Sequence, residues 1–420
     1  MSASALPVAF FVPSFPELTE TFLLRQVTGL LDRGCDVRVL AHESASSEIC
    51  HPDVLGRNLA ARTRYLARGE PSSLASGGTA TERPQLPALR RVAAALRDAW
   101  TFAPRSAVAD APSAVYRVAR VSREPRPKIV HCHYGDTGLQ YGFAATLWNV
   151  PLIVSFYGYD VSSFPRTHGN DVYRALFRRA DRVLALSEEM REVLCGLGAP
   201  RERTRLQHLS VDPVRFGPPP EGRVATPGPV RILTVGRLVE KKGHEYALKA
   251  LATLSHDSPG FEYEVVGDGP LASHLQSLAE SLGIADRVRF RGALSEPEVA
   301  DAMRRADLFV LPSVEAANGD REGTPTVLLE AQATSLPVIA TRHAGIPEVV
   351  RDGETAILVG ERDVEGLARA LRTMLASPET RLAFSQAGRD FVLRRHSVEA
   401  GARQLEQIYE EVLNEREGGE

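Results

Sequence analysis

At 420 residues, with 43% hydrophobic and 25% charged residues and a formal net charge of −3, the chain is ordinary in make-up and too long for one ordinary core; two α/β domains are expected. Nothing in that charge calls for nucleic acid, no apolar run reaches membrane-spanning length, and Met1 to Pro7 lacks the charged and apolar regions of a signal peptide, so the expected compartment is the cytoplasm. The four cysteines, Cys35, Cys50, Cys132 and Cys195, show no paired spacing, which suits a reducing compartment and argues against a zinc site.

Val8 to Val12 is a short apolar run ending at Pro13, as expected of a buried first strand in a parallel sheet. A turn-rich loop follows, then a helix with Phe22, Val27, Leu30 and Leu31 inward; Gly34 closes it and Val37 to Leu40 gives the next strand. From His51 to Pro127 the chain is rich in Ala, Arg, Ser and Pro, with a loop at Gly77-Gly78. Between Arg57 and Lys128, fourteen Lys or Arg stand against five acids, a local balance of +9 that favours an anionic membrane surface or a phosphate-bearing acceptor. One helix there sets Leu89, Val92, Ala93, Leu96, Ala99 and Trp100 on one face. Such a helix ordinarily covers a sheet; interfacial membrane contact is the alternative.

Lys128 to His133 reads as a strand that sends His131 and His133 to one side and Cys132 to the other, so the three do not converge on a metal. Leu152 to Phe156 is the next strand and runs into Tyr157-Gly158-Tyr159-Asp160. Both stop where open α/β sheets place their ligands. Arg182 to Glu188 is a further strand-to-helix junction, and Pro218 to Gly222 with Pro227 to Pro229 form a stiff connector.

Beyond the connector, Val230 to Val235 is a strand, Gly236 a turn, and Arg237 and Lys242 set two cations where a loop enters a helix. A guanidinium fork and a compact ammonium there can stabilise a phosphate leaving group without a divalent metal. Glu262 to Leu271 gives another strand and a turn with Gly267 and Gly269, by itself weak evidence for phosphate or base contact. Leu308 to Ser313 then leads into Gly319 to Glu330. Thr324 is the expected N-cap and Pro325 the first helical residue, with Glu322 at the helix mouth and Glu330, six residues past the cap, about 9 Å beyond it. Free N–H groups at such a start suit an anion, and a nucleotide sugar could meet both features. In the tail, Ala402, Leu405, Ile408, Tyr409, Val412 and Leu413 mark an amphipathic helix.

The string Gly319 to Glu330, followed by Leu336 to Thr341, Gly345 to Val350 and Asp352-Gly353, resembles the signature region of glycosyltransferase family 4. Within that family it most resembles the branch that builds bacterial exopolysaccharides such as colanic acid and amylovoran. Thr19-Glu20-Thr21-Phe22 is similar to that branch's Ser-Glu-Thr-Phe, and Leu209 to Pro213 is similar to the Gly-Val-Asp that closes the first domain in relatives.

The resemblance implies a GT-B fold, two Rossmann-like, doubly wound parallel-sheet domains facing a cleft. Residues 1–217 would be the acceptor-side domain, 218–229 the linker, 230–396 the nucleotide-sugar domain, and a helix over 397–420 would cross back to the first. It implies retaining transfer of a hexosyl unit from a nucleotide-diphosphate sugar to a glycan or lipid-linked saccharide acceptor, with no metal and no other cofactor. A nucleotide-sugar 2-epimerase and a non-catalytic nucleotide-sugar-binding subunit of a polysaccharide assembly complex are the alternatives. By the same resemblance Arg237 and Lys242 take the diphosphate, and Glu322 with Gly323, Thr324, Pro325 and Thr326 fixes the donor sugar. Glu330 takes the ribose, Gly236, Gly267 and Gly269 approach the donor, and the segment at Arg291 meets the base. Relatives usually show His-Gly-x-Asp where this chain has Tyr157 to Asp160, which leaves His133 and Tyr157 as the candidates for the transfer corner. For His133 a structural hydrogen bond at a strand end is the other reading.

Overall fold

Short runs of β-branched and aromatic residues, apolar on both faces, make parallel strands that must be covered on both sides. The computed structural model describes residues 5–17, 20–44, 52–67, 86–102, 111–223, 228–254 and 260–418. It divides the chain into two units, Met1–Gln207 with Ala402–Glu420, and His208–Gly401.

In the first unit the strands are β1 (Pro7–Phe15), β2 (Asp36–Ser44), β3 (Thr63–Tyr65), β4 (Ile129–His133), β5 (Leu152–Ser155), β6 (Arg182–Ala185) and β7 (Thr204–Leu206). They form one parallel sheet in the order β3-β2-β1-β4-β5-β6-β7. Every residue of β4, β5 and β6 is buried. Strand β1 continues through Pro13 instead of stopping there. Its pairing with β4 ends at Phe11, so Pro13 lies where only β2 is alongside and a missing N–H is tolerated.

The second unit holds β8 (Val230–Val235), β9 (Phe261–Val266), β10 (Val288–Phe290), β11 (Leu308–Leu311), β12 (Val338–Thr341) and β13 (Ala356–Val359), parallel in the order β10-β9-β8-β11-β12-β13. Ile232, Tyr263 and Val310 from the strands pack with Leu248, Leu371 and Met374 from the helices. The Thr234 hydroxyl in this core is satisfied: Oγ1 donates to Val310 O at 2.6 Å and meets Tyr263 Oη at 2.8 Å. In both sheets the order reverses once, between β1 and β4 and between β8 and β11. Crevices at the C-terminal ends of those strand pairs are where doubly wound sheets bind ligands.

The tail helix, Val398–Glu417, buries Ala402, Leu405, Ile408, Tyr409 and Val412, as its spacing predicts. Tyr409 Oη is 2.7 Å from His131 Nδ1 on β4, Arg182 on β6 bonds Glu415, and Arg33 bonds Glu406. From Ala402 onward the helix therefore belongs with the first unit. The segment expected to close that unit sorts with the second: Val211 pairs with Ser397, and His396 Nδ1 meets Leu209 O at 3.1 Å. Part of the Pro-rich connector is likewise tied down. Arg223 donates to Met303 O at 2.7 Å, to Ala306 O and to Thr334 O at 3.1 Å, satisfying carbonyls at helix ends.

The helix Leu86–Phe102 departs from its expected orientation. It buries Ala95, Ala99 and Phe102, while Leu89 and Trp100 are more than half exposed. Asp98 Oδ2 accepts from Thr146 Oγ1 at 2.6 Å, which fixes this rotation against the helix Phe143–Trp148. Cys35, Cys132 and Cys195 are free thiols, while Gly77-Gly78 and Cys50 lie outside the described residues.

Leu405 is fully buried on the tail helix. Leu405→Ala is expected to destabilise the protein by about 2–5 kcal/mol, read as a lower urea midpoint in the far-ultraviolet circular dichroism transition.

Candidate active site

Strand β8 ends at Val235, and the chain turns through Gly236 and Arg237 into one 3-10 turn, Glu240–Lys242. Strand β11 ends at Leu311 and runs on through Pro312 and Ser313 into 314–325. Because β8 and β11 are neighbours at the reversal, these loops leave the sheet side by side. Gly243 makes the approach possible: its φ is +66°, and a Cβ there would strike Pro312 O.

The loops meet in an ion pair. Lys242 Nζ is 2.8 Å from Glu322 Oε1, with the two side chains 13% and 7% exposed. Lys241 Nζ lies 3.0 Å from Asp320 Oδ2, and Ser313 Oγ donates to Glu322 Oε1 at 3.4 Å. Burial alone would raise the Glu322 carboxyl. The ammonium of Lys242, and then that of Lys241, outweigh it and hold the group below its ordinary value.

The backbone of Glu322 is held as firmly. Its N–H donates to His343 Nε2 at 3.1 Å, and His343 Nδ1 is 2.7 Å from Glu361 Oε1. An amide can only donate, so Nε2 carries no proton and Nδ1–H points at Glu361. Glu361 Oε2 in turn accepts from Glu315 N at 2.9 Å. His343 and Glu361 are functional neighbours that no spacing in the sequence announced; they arrive from the ends of β12 and β13.

The helix after this loop is Thr326–Ala333, and its cap is Pro325 at φ −67°, ψ 111°. Thr324 is not the cap, since it stands one residue too early for its hydroxyl to reach the second or third helical N–H, and Thr324 Oγ1 is buried with no partner. The amides of Thr326 and Val327 open the helix without intrahelical acceptors. Glu330 is buried on this helix. Arg237 is exposed, and its guanidinium has no ion-pair partner among the described residues; its carbonyl meets His244 Nε2 at 3.0 Å. Gly267 and Gly269 serve loop packing: a Cβ on the first would strike Gly236 O and on the second the Leu238 backbone. The Cβ position of Gly236 lies 3.4 Å from the Lys242 methylenes. Arg291 donates its N–H to Val265 O at 2.9 Å and its side chain to Glu264 at 3.2 Å, so that N–H is engaged in the sheet.

The other two candidates, His133 and Tyr157, meet in the first unit. His133 Nδ1 is 2.6 Å from Tyr157 Oη, and its Nε2 is buried without a partner. Alternation along β4 does bring His131 and His133 together, their rings stacked at 4.2 Å. Burial pushes the His131 imidazole down to about 3; burial, with His131 adding to it, also holds His133 well below its ordinary value. Burial also raises the Tyr157 phenol, which stays protonated. Asp160 pins the surrounding loops, accepting from Gly135 N at 3.0 Å, Tyr157 N at 2.9 Å and Gly158 N at 2.8 Å. Burial pushes its carboxyl up to about 6 against the pull of those three amides. Glu20 accepts from Tyr134 Oη at 2.7 Å; its neighbour Thr19 lies outside the described residues.

Lys242→Met would leave the Glu322 carboxylate buried and unpaired, at a cost of about 3–5 kcal/mol near neutral pH. The wild-type pair contributes stability above the unfolded carboxyl pKa and loses it as pH falls through the lowered folded value. The deficit of Lys242→Met is therefore expected to shrink as pH falls below 4.5, the ordinary carboxyl value, toward the lowered folded one, as measured by denaturation at a series of pH values.

Residues 223–391 match the family described as glycosyl transferases group 1, and residues 19–209 match the glycosyl transferase 4-like domain. WcaL of Escherichia coli (strain K12), provisionally assigned as a colanic acid biosynthesis glycosyltransferase, is 34% identical over 382 residues, covering 87% of this chain and 90% of its own. The amylovoran biosynthesis glycosyltransferase AmsK of Erwinia amylovora is 29% identical over 414 residues, covering 96% of this chain and 99% of its own. Among solved structures, Anabaena HepE in complex with UDP and glucose superposes with a TM-score of 0.71 at 16% identity, over 96% of this chain and 98% of its own. Sucrose-phosphate synthase from Thermosynechococcus elongatus does so at 0.71 and 20%, over 97% and 99%. With its two parallel-sheet α/β domains, the chain is a glycosyltransferase of the GT-B fold and belongs to glycosyltransferase family 4.

Proposed function

We propose that the protein moves a hexosyl unit from a nucleotide-diphosphate sugar to a hydroxyl of a lipid-linked saccharide during exopolysaccharide assembly in the cytoplasm, with retention at the anomeric carbon and without a divalent metal. The observation that carries this is the Lys242–Glu322 pair, buried at the strand reversal of the second unit just ahead of the open helix start at Thr326. A lysine ammonium has three donors, and Glu322 takes one. The others are left for phosphate oxygens, and the unpaired Arg237 guanidinium supplies a fork beside them. Together these cations neutralise charge as the diphosphate leaves, the work a metal does elsewhere.

In this mechanism Glu322 is held twice, by Lys242 through its carboxylate and by His343 through its amide, and places the donor sugar. The amides at Thr326 and Val327 face developing negative charge, and Glu330 accepts from the ribose hydroxyls. The leaving phosphate takes the proton of the attacking hydroxyl on the same face, so no side-chain nucleophile is needed. WcaL and AmsK, which align along most of the chain, support the exopolysaccharide setting by their assigned pathways.

Lys242→Ala and Glu322→Ala are each expected to lower kcat/KM by about 10²–10³-fold. Transfer products from a panel of nucleotide sugars, identified by mass spectrometry, provide the assay, and proton NMR of the product reads the anomer. Chelator should leave the rate unchanged. Undiminished product from both variants, an inverted anomer or a chelator-sensitive rate would each overturn the corresponding part of the proposal.

A further inference from the structure

The second unit has a cavity at the other end of its sheet from the Lys242–Glu322 pair. Arg231 is the second residue of β8 and Asp307 stands just before β11, so this cavity lies at the strand starts, away from the loops that carry the pair. Its volume is about 270 Å³, and four arginines line it: Arg223, Arg231, Arg304 and Arg381. Asp307, whose side chain is 15% exposed, is taken up by Arg231, which donates to it from Nε and from Nη2 at 3.0 Å each. Arg304 pairs with Asp301.

Two cations are left over. Arg223 donates to the carbonyls of Met303, Ala306 and Thr334, and Arg381 donates from Nη1 to those of Met374 and Leu375. Neither has a carboxylate partner among the described residues. The carbonyls lie at the ends of the helices Glu296–Arg305, Thr326–Ala333 and Val364–Ala376, and a helix end offers only about half a charge. A guanidinium has five N–H donors. Among the described residues, Arg223 therefore keeps one N–H on each terminal nitrogen, and Arg381 keeps Nε–H and both on Nη2.

The electrostatics favour an anion here. Burial brings the Arg223 guanidinium down to about 10, with Asp307 resisting and the Arg231 charge adding to the fall. Burial lowers Arg381 as well. Cations crowded out of water are relieved by an anion between them. The helix Pro378–Arg395 starts on the rim and adds its positive end. Glu221 and Glu379 on the rim oppose an anion, but both are exposed, so solvent and salt screen them.

We propose that this cavity binds the phosphate group of a small phosphate ester or diphosphate, through the uncommitted N–H groups of Arg223 and Arg381. Planar forks match phosphate oxygens in pairs, which a single ammonium does not do. The site is separate from the proposed donor site and stands independently of the transfer mechanism.

The test is calorimetric titration of the full chain with inorganic pyrophosphate at fixed ionic strength, with acetate as the control anion. The reference is Arg237→Ala, because Arg237 is exposed and its loss weakens the proposed donor site without touching the cavity. Pyrophosphate should bind this reference chain, and acetate should not. In the same background, Arg381→Gln should weaken binding about ten-fold. Leu382→Trp, at a cavity residue 44% exposed, should weaken it at least about five-fold by filling the space while leaving every charge in place. Glu379→Gln should strengthen it about two-fold by removing a rim charge. Should Arg381→Gln unfold, the other two variants, which leave the arginine contacts intact, still decide. The proposal fails if pyrophosphate does not bind the Arg237→Ala chain, if acetate binds as well, or if binding is indifferent to Leu382→Trp and Glu379→Gln. Indifference would place the anion on the remaining Lys242 instead. No transfer is measured, so failure of the transfer mechanism would leave this result standing.

Discussion

A carboxylate inside a protein stays ionised only where a cation or several hydrogen-bond donors compensate it, and the second unit is built around a carboxylate held by a cation. Lys242 and Glu322 are eighty residues apart in sequence, and only the reversal of strand order between β8 and β11 brings their loops together. Everything nearby serves the encounter. Gly243 lets one loop cross the Pro312 carbonyl, Lys241 and Asp320 tie the loops a second time, and β12 and β13 deliver His343 and Glu361 to hold the Glu322 amide. Buried pairs of this kind add little net stability but are costly to break, so their value lies in fixing geometry.

The first unit solves a related problem with neutral groups. Its polar core is a set of short hydrogen bonds in which His131 joins Tyr409 and Ser155, and His133 joins Tyr157. Asp160, with three backbone donors, carries the charge that holds the strand-end loops. Relatives commonly have a histidine where Tyr157 stands. Here the tyrosine oxygen bonds His133, and the ring packs on Phe22 and Tyr134 at 4.6 and 4.7 Å. His133 Nε2 is left buried without a partner, as is Gln26 Oε1.

Much of this is legible in the residues alone. Buried parallel strands announce themselves as short apolar runs, so Val230 to Val235 and Leu308 to Leu311 read directly, as did the apolar face of the tail helix. The signature from Gly319 to Glu330 also pointed to the region where Lys242 and Glu322 meet. The misses share a cause. Thr324 is the expected cap because threonines favour that place, but Pro325, with ψ at 111°, stays outside the helix and takes the cap position itself. His343 and Glu361 lie in loops whose meeting depends on strand order, which no local pattern records. The rotation of the helix Leu86–Phe102 goes with burial of Ala95, Ala99 and Phe102 and with the Thr146 to Asp98 bond, between residues 48 apart. Local periodicity says that a face is apolar and leaves open which face is inward.

The tail helix also ties the folding of the molecule to the order of its synthesis. The stretch up to Gln207 leaves the ribosome as an unfinished unit, because Ala402–Glu420 belongs to it and is made only after the second unit. Until it arrives, His131 lacks its Tyr409 partner and Arg182 its Glu415. The intervening unit takes roughly 10–40 s to translate at 5–20 residues per second. The unit begun before the other is thus completed after it, and a chain released before Ala402 would yield a finished second unit attached to a first one with its core open.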